Sequence, residues 1–377
     1  MNPDAMRLRG VSYDAGRVMG GNWRPDFDPK VVRRELGIIR DDLHCNAVRV
    51  CGLDLGRLAT AAEIALELGL EVWLSPEMWD RSPKKTLEYV AEAAVAAERL
   101  RAERRGRIVF LVGSELTLFM RGIVPGRNVA QRMVGARQIL KEGRRNEPLN
   151  AFLSEANSAV RRVFRGPVSY ASLVWESVDW NLFDFVGIDH YWHARIKDRY
   201  IELLEPAFAF GKPVVITEFG FRTYRGADSS AEGMAGDLID YAPNLRVIAV
   251  YLANSVRSSV FGVQLPPPRM RLRRGDYERD EGSQARSLAD QLRLLEGAGV
   301  EGAFAMTFVS PTAPHSDDPR RDYDMNSYSL VKTLAAGRGT AYPDMPWEPK
   351  ESFDAVAEYY GRLKDGRPGL DLRVSRG

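Results

Sequence analysis

The chain is short of most features that mark a specialised environment. It has two cysteines in 377 residues, Cys45 and Cys51. Both flank or occupy one short predicted strand, where two thiols are badly placed to bond to each other, so a reduced, cytoplasmic setting is expected. Histidines number four and show no zinc-ligand spacing, so no metal is expected. An excess of charge of one sign is missing too. Lys+Arg is 53 against Asp+Glu 51, and a net charge of +2 provides no electrostatic drive toward nucleic acid or an anionic membrane. The densest basic run, Arg269 to Arg274, is followed at once by Asp276, Glu278, Asp280 and Glu281, and reads as a solvated loop. No stretch approaches the roughly 20 apolar residues of a membrane span. The segment Met1 to Arg9 lacks the basic-then-apolar order of a secretory leader. Gly16 and Gly20-Gly21 do not make the G-x-G-x-x-G turn that a dinucleotide fold wants after its first strand.

What is present is an alternation. Short apolar runs are separated by longer amphipathic stretches, the βα signature of a parallel sheet. Eight runs qualify as strands: Leu8 to Tyr13, Ala47 to Cys51, Glu71 to Ser75, Ile108 to Gly113, Val168 to Leu173, Phe185 to Asp189, Val214 to Thr217 and Gly302 to Phe308. Helices are expected over Lys30 to Leu43, Leu58 to Leu68, about Pro83 to Arg104, and Gly282 to Glu296. Eight such units fit a (β/α)8 TIM barrel of the α/β class better than a six-stranded doubly wound sheet. The catalytic barrel is expected over residues 1–335. Within it, residues 224–276 form an insertion between strands seven and eight, expected to lie over the mouth as a lid. Residues 336–377, with one helix over Ser352 to Leu363, are expected to be an extension packing on the barrel.

Two of the strands are capped by a glutamate just beyond their carboxyl ends. Lys212-Pro-Val-Val-Ile-Thr-Glu218-Phe-Gly-Phe221 is a buried-strand run with a carboxylate at its carboxyl end, and Arg107-Ile-Val-Phe-Leu-Val-Gly-Ser-Glu115 has the same design. In an α/β barrel the chemistry sits at the carboxyl ends of the strands, so the two carboxyls are expected to face each other there. Paired carboxylates are what glycosidic bond hydrolysis uses. The other strand ends carry Tyr13 and Asp14, Arg49 and Cys51, Glu77 and Trp79, Ser114, Trp175 and Glu176, Asp189 with His190, Tyr191 and Trp192, and Thr307 with Phe308. A rim rich in aromatic rings and carboxylates suits a carbohydrate, with C–H faces for stacking and hydroxyls for hydrogen bonds. Glu77 has two readings, a subsite contact or a partner for an arginine. The charged run His315 to Asp324 is a solvated loop or a ligand contact. It lacks the glycine and oxygen spacing of an EF-hand, which excludes a calcium loop of that type.

On these motifs the chain resembles the superfamily of retaining glycoside hydrolases built on (β/α)8 barrels, with catalytic glutamates after strands four and seven. Ile216-Thr-Glu218-Phe-Gly220 matches the strand-seven nucleophile motif, Val48-Arg49-Val50 the strand-two arginine, and Asp189-His190-Tyr191 the strand-six segment. The resemblance implies Glu218 as nucleophile and Glu115 as acid/base. It also implies that Arg49 and Tyr191 hold the nucleophile ionised. Tyr13, Ser114, Trp175, His190, Trp192 and Phe308 join Arg49 and Tyr191 as substrate-binding candidates. Two positions depart from the pattern. Gly113-Ser114-Glu115 stands where Gly-Asn-Glu is usual, and Phe308 where a platform tryptophan is frequent. These departures keep open a second reading, a catalytically silent barrel that binds a sugar or a protein partner. The expected ligand is a carbohydrate or glycoside, with no cofactor, no nucleic acid and no membrane; the oligomeric state is not legible.

Overall fold

The computed structural model describes residues 6–19, 21–104, 106–129, 131–133, 136, 146–227 and 277–366. Most of the expected lid, 228–276, lies outside the described residues. Eight parallel strands close into a barrel in sequence order: β1 Leu8–Asp14, β2 Ala47–Gly52, β3 Glu71–Pro76, β4 Ile108–Ser114, β5 Val168–Leu173, β6 Val186–Asp189, β7 Val214–Phe219 and β8 Gly302–Ala305. The last strand pairs with the first, Leu8 opposite Gly302. Between the strands run α1 Pro29–Asp41, α2 Leu55–Glu67, α3 Pro83–Glu103, the one-turn α4 Leu116–Phe119, α5 Asn146–Val163, the short α6 Glu205–Phe208 and α7 Glu281–Gly297. Among the described residues no helix is long and apolar enough to cross a membrane.

Local sequence sets these boundaries. Asp28 caps α1 by accepting from the Lys30 amide, with Pro29 at the first helical position. Asp54 and Asp280 cap α2 and α7 through the amides of Arg57 and Ser283. The strands read as near-continuous apolar runs because both of their faces are covered. Side chains that alternate inward, Leu8, Ala47, Trp73, Val109, Leu111, Ala171, Phe185, Val215 and Phe304, pack inside the barrel. There Trp73 is edge-on to Phe185 at 5.2 Å between ring centroids. Those that alternate outward join the helices in the larger core, Val48, Val50, Phe110, Val168 and Ile216 among them.

After β8 the chain makes a small three-stranded sheet, β9 Pro314–His315, β10 Val331–Leu334 and β11 Trp347–Pro349, and then α8 Glu351–Lys364, which packs along α7. Trp347 is fully buried. Its ring lies edge-on to Phe308 at 5.3 Å, and its indole N–H donates to Glu35 of α1. At the other end of α8, the Tyr360 hydroxyl donates to the carbonyls of Gly10 in β1 and Ala303 in β8.

Candidate active site

The strand ends at the mouth are irregular, and the irregularities decide which side chains face inward. Pairing shifts register between Leu111 and Ser114 in β4, between Ile188 and Asp189 along β6, and between Ile216 and Phe219 in β7. A bulge of this kind re-aims a side chain that strict alternation would send the other way. In β7, Val215 lies inside and Phe219 outside, so the shift between them lets both Thr217 and Glu218 reach the centre. Beyond β4 the backbone turns sharply. Gly113 has φ +158°, and a Cβ there would meet the Leu116 side chain at 2.8 Å. Glu115 itself sits in the left-handed region at φ 48°, ψ 42°, a costly backbone for a non-glycine residue, held by its amide donating to the Ala171 carbonyl at 2.8 Å.

One carboxylate oxygen each from Glu115, Asp189 and Glu218 lies within 4.8 Å of the others, and all three side chains are buried. Glu218 is the most heavily partnered. Its Oε1 accepts from Arg49 Nη1 at 2.5 Å and from Arg17 Nη2 at 2.8 Å, and its Oε2 accepts from the Tyr191 hydroxyl at 2.5 Å. Burial opposes its ionisation, but Arg49, Arg17 and Tyr191 outweigh that and pull its pKa to about 2. Glu115 is the opposite case. Burial first, then the proximity of Asp189, Glu218 and Glu176, push its carboxyl well above the usual range, against a smaller pull from Arg49. Two neighbouring carboxyls with opposite preferences are what a site needs to hold one acid and one base at the same pH.

Glu77 resolves in favour of its arginine reading. It lies 2.8 Å from Arg17 Nε and 3.1 Å from Arg49 Nη2, and accepts from the Ser75 hydroxyl. Glu176 accepts from the Thr117 and Leu173 amides and from the Tyr170 hydroxyl, so it braces the turn that carries Glu115.

Of the residues expected from the sequence, the structure gathers Glu115, Glu218, Arg49, Ser114 and Tyr191 around this centre. Trp175 and Trp192 are half-buried just beyond the ends of β5 and β6, and Trp192 stacks on Tyr200 at 5.6 Å. Three expectations fail on orientation. Tyr13 is odd in phase with Leu8, so it points outward and donates to Glu35 of α1 at 2.6 Å under the Arg24 guanidinium. His190 follows the inward Asp189 and so points outward. It stacks on Tyr200 at 4.0 Å, pairs through Nε2 with the Tyr200 carbonyl, and burial pulls its pKa down to about 4. Phe308 lies beyond the true end of β8 and is enclosed against Trp347, so it cannot serve as a platform at the mouth.

Arg17 escaped sequence reasoning altogether. It follows Gly16, whose φ of +126° turns the loop after β1 back over the barrel. The only signal was the glycine-rich loop itself, which does not say what its arginine faces. Asp189 was visible as a strand-end residue, but nothing in the sequence set it within 4.8 Å of both glutamates.

The sequence matches no protein-family model and no curated protein. Solved structures do share the fold. One is a GH113 β-1,4-mannanase, 14% identical over 94% of this chain and 98% of that one, with a TM-score of 0.55. A second is a GH113 β-mannanase from Alicyclobacillus acidocaldarius in complex with ManMIm, 17% identical over 94% and 97%, TM-score 0.53. A GH2 β-galacturonidase from Eisenbergiella tayi is 15% identical over 94% of this chain but 51% of its own, TM-score 0.52. At these identities the likeness establishes a common (β/α)8 fold.

Proposed function

We propose that the protein is a retaining glycoside hydrolase that cleaves an O-glycosidic bond through a covalent intermediate on Glu218, with Glu115 as acid/base. The observation that carries this reading is the pair itself: two buried carboxyls with oxygens within 4.8 Å, one gripped by Arg49, Arg17 and Tyr191 and so drawn toward its ionised form, the other drawn by burial toward its protonated form. Retaining enzymes keep their carboxyl groups roughly 5–5.5 Å apart, whereas inverting ones need roughly 6.5–9.5 Å to admit a water. The fold shared with two β-mannanases and a β-galacturonidase supports the same class.

The chemistry follows from the partners. Glu218 attacks the anomeric carbon while Glu115 protonates the departing oxygen. Ionised Glu115 then takes a proton from water, which hydrolyses the glycosyl ester. Arg17, Arg49 and Tyr191 fix the orientation of the nucleophile, and no step calls for a cofactor. The cytoplasmic setting read from the sequence belongs to this proposal as well.

The test is a panel of α- and β-aryl glycosides, beginning with β-mannosides and β-galacturonides. Glu218→Gln should abolish turnover of every substrate. Glu115→Ala should keep its first step on substrates with very good leaving groups, accumulate the glycosyl-enzyme, and regain turnover with azide. General acid–base assistance is worth roughly 10²–10⁴-fold, so activated and unactivated substrates should separate clearly. Saturable sugar binding with no turnover of any glycoside would favour the silent-barrel reading instead.

A further inference from the structure

The buried centre holds more carboxyls than the proposed mechanism uses. Glu77, Glu115, Asp189 and Glu218 face two guanidiniums, Arg17 and Arg49. An enclosed cluster cannot carry a large uncompensated charge, so it retains protons. Glu218 and Glu77 are in direct contact with both arginines, which leaves Glu115 and Asp189 to carry them.

These two are not equivalent. Asp189 is fully enclosed. Its Oδ1 accepts from the Thr217 hydroxyl at 2.6 Å and its Oδ2 from the Ser114 hydroxyl at 3.2 Å, and Arg49 Nη1 stands 3.7 Å away. Among the described residues no side chain donates to the Glu115 carboxyl. The anion of Asp189 is therefore the better stabilised of the two, since hydrogen bonds made to a charged form favour that form. We propose that Asp189 is a positioning residue for the Glu115 proton: it releases its own proton to solvent first, and its negative charge then keeps Glu115 protonated. This rests on the acid/base role proposed above for Glu115.

The surroundings agree in direction. Burial and then Glu218 raise the Asp189 carboxyl to about 8, opposed by Arg49 and the Thr217 hydroxyl, with Glu77 adding to the rise. Glu115 is pushed well above the usual carboxylate range too, by burial and then by Asp189, with Glu218 and Glu176 behind it. Tyr191 donates to Glu218 and stays protonated through this range. The arrangement also preserves charge through the first chemical step. Glu218 loses its charge on forming the ester as Glu115 gains one by giving up its proton, so Asp189 need not change state.

The experiment is an infrared pH titration of the protonated-carboxyl stretch in the full chain. The wild type minus Glu115→Gln isolates Glu115 with Asp189 present. The Asp189→Asn variant minus Asp189→Asn/Glu115→Gln isolates it without. Glu115 should titrate lower by about one unit or more once the like charge is gone. Thr217→Val, which keeps the side-chain shape but removes a donor to the Asp189 anion, should shift Glu115 in the same direction and covers the case of an Asp189→Asn chain that does not fold. In activity, the basic limb of the pH profile should move down for a poor leaving group and stay fixed for an activated one. A Glu115 titration unmoved in both folded variants overturns the proposal. A shifted titration in a protein that cleaves no glycoside supports the coupling and defeats the hydrolase reading.

Discussion

Replacing Arg17 by glutamine is the sharpest test of how the centre holds Glu218 ionised. Arg17 is one of two guanidiniums on Glu218 Oε1, at 2.8 Å, with Arg49 at 2.5 Å on the same atom. A buried opposite charge at this range lowers a carboxyl by roughly 1–3 pKa units, each worth about 1.4 kcal/mol. Without it, Glu218 should rise from about 2 to roughly 3–5, and the acid limb of kcat/KM should move up with it. The sign for stability follows. A carboxyl depressed in the folded state stabilises the fold above its unfolded pKa, and that stability is lost as pH falls through the folded value. Wild-type protein should thus keep the contribution of Glu218 down to strongly acid pH, whereas Arg17→Gln should lose it before the unfolded carboxylate range is left. Breaking a buried pair typically costs roughly 3–5 kcal/mol, and Arg49 remains to compensate part of this. The assay is the pH–rate profile on an activated aryl glycoside together with thermal unfolding from acid to neutral pH. Arg17→Lys keeps the charge without the fork that spans Glu77 and Glu218, and should fall between the two. An acid limb and an acid-unfolding midpoint both unmoved in a folded Arg17→Gln protein would refute the two-arginine account.

Other outcomes are expected. Tyr191→Phe removes one hydrogen bond to the same ionised carboxyl, worth roughly 1.5–3 kcal/mol, and should raise the acid limb by roughly one to two units. Because His190 is held neutral by burial, His190→Gln should lower the melting temperature without removing any inflection from the pH profile. Trp347→Ala empties a fully buried site between Phe308 and Glu35 and should destabilise the fold by roughly 3–5 kcal/mol, read from denaturant unfolding, with both pH limbs in place.

The barrel was legible because strand β-propensity, helix punctuation and the eightfold alternation agree with one another. Val168 to Leu173 coincides with β5, and the other strands differ from expectation by one or two residues except the last. There the apolar run Met306-Thr307-Phe308 continues the sequence pattern while the chain has already left the sheet; an apolar run carries no mark of where its pairing stops. The same limit misplaced Phe308. Tyr13 and His190 show a different lapse: counting by twos from Leu8 and from Asp189 sends both outward, so alternation already contained the answer. Glu115 and Glu218 were found from motif and strand order rather than alternation, since register shifts govern their aim. The parts that Arg17 and Asp189 play at the centre were illegible for a physical reason. Their importance is a sum of charges contributed by five strands and one loop, and no linear spacing encodes that sum.

The Tyr360 hydroxyl, shared between the carbonyls of Gly10 and Ala303, bears on how the molecule comes into being. Those carbonyls belong to the two strands that close the ring, and Tyr360 stands 350 positions along the chain from Gly10. On the ribosome, β1 emerges ahead of the other barrel strands and must wait for β8, the last of them, before it acquires its second neighbour. Until β8 emerges it remains an unpaired edge, the condition in which nascent strands are prone to wrong partners. The clasp emerges only after both strands of the seam. A chain cut ahead of α8 would keep every catalytic candidate and still lack the group that fastens the seam, whereas a circular permutant joining α8 directly to β1 would deliver clasp and seam together.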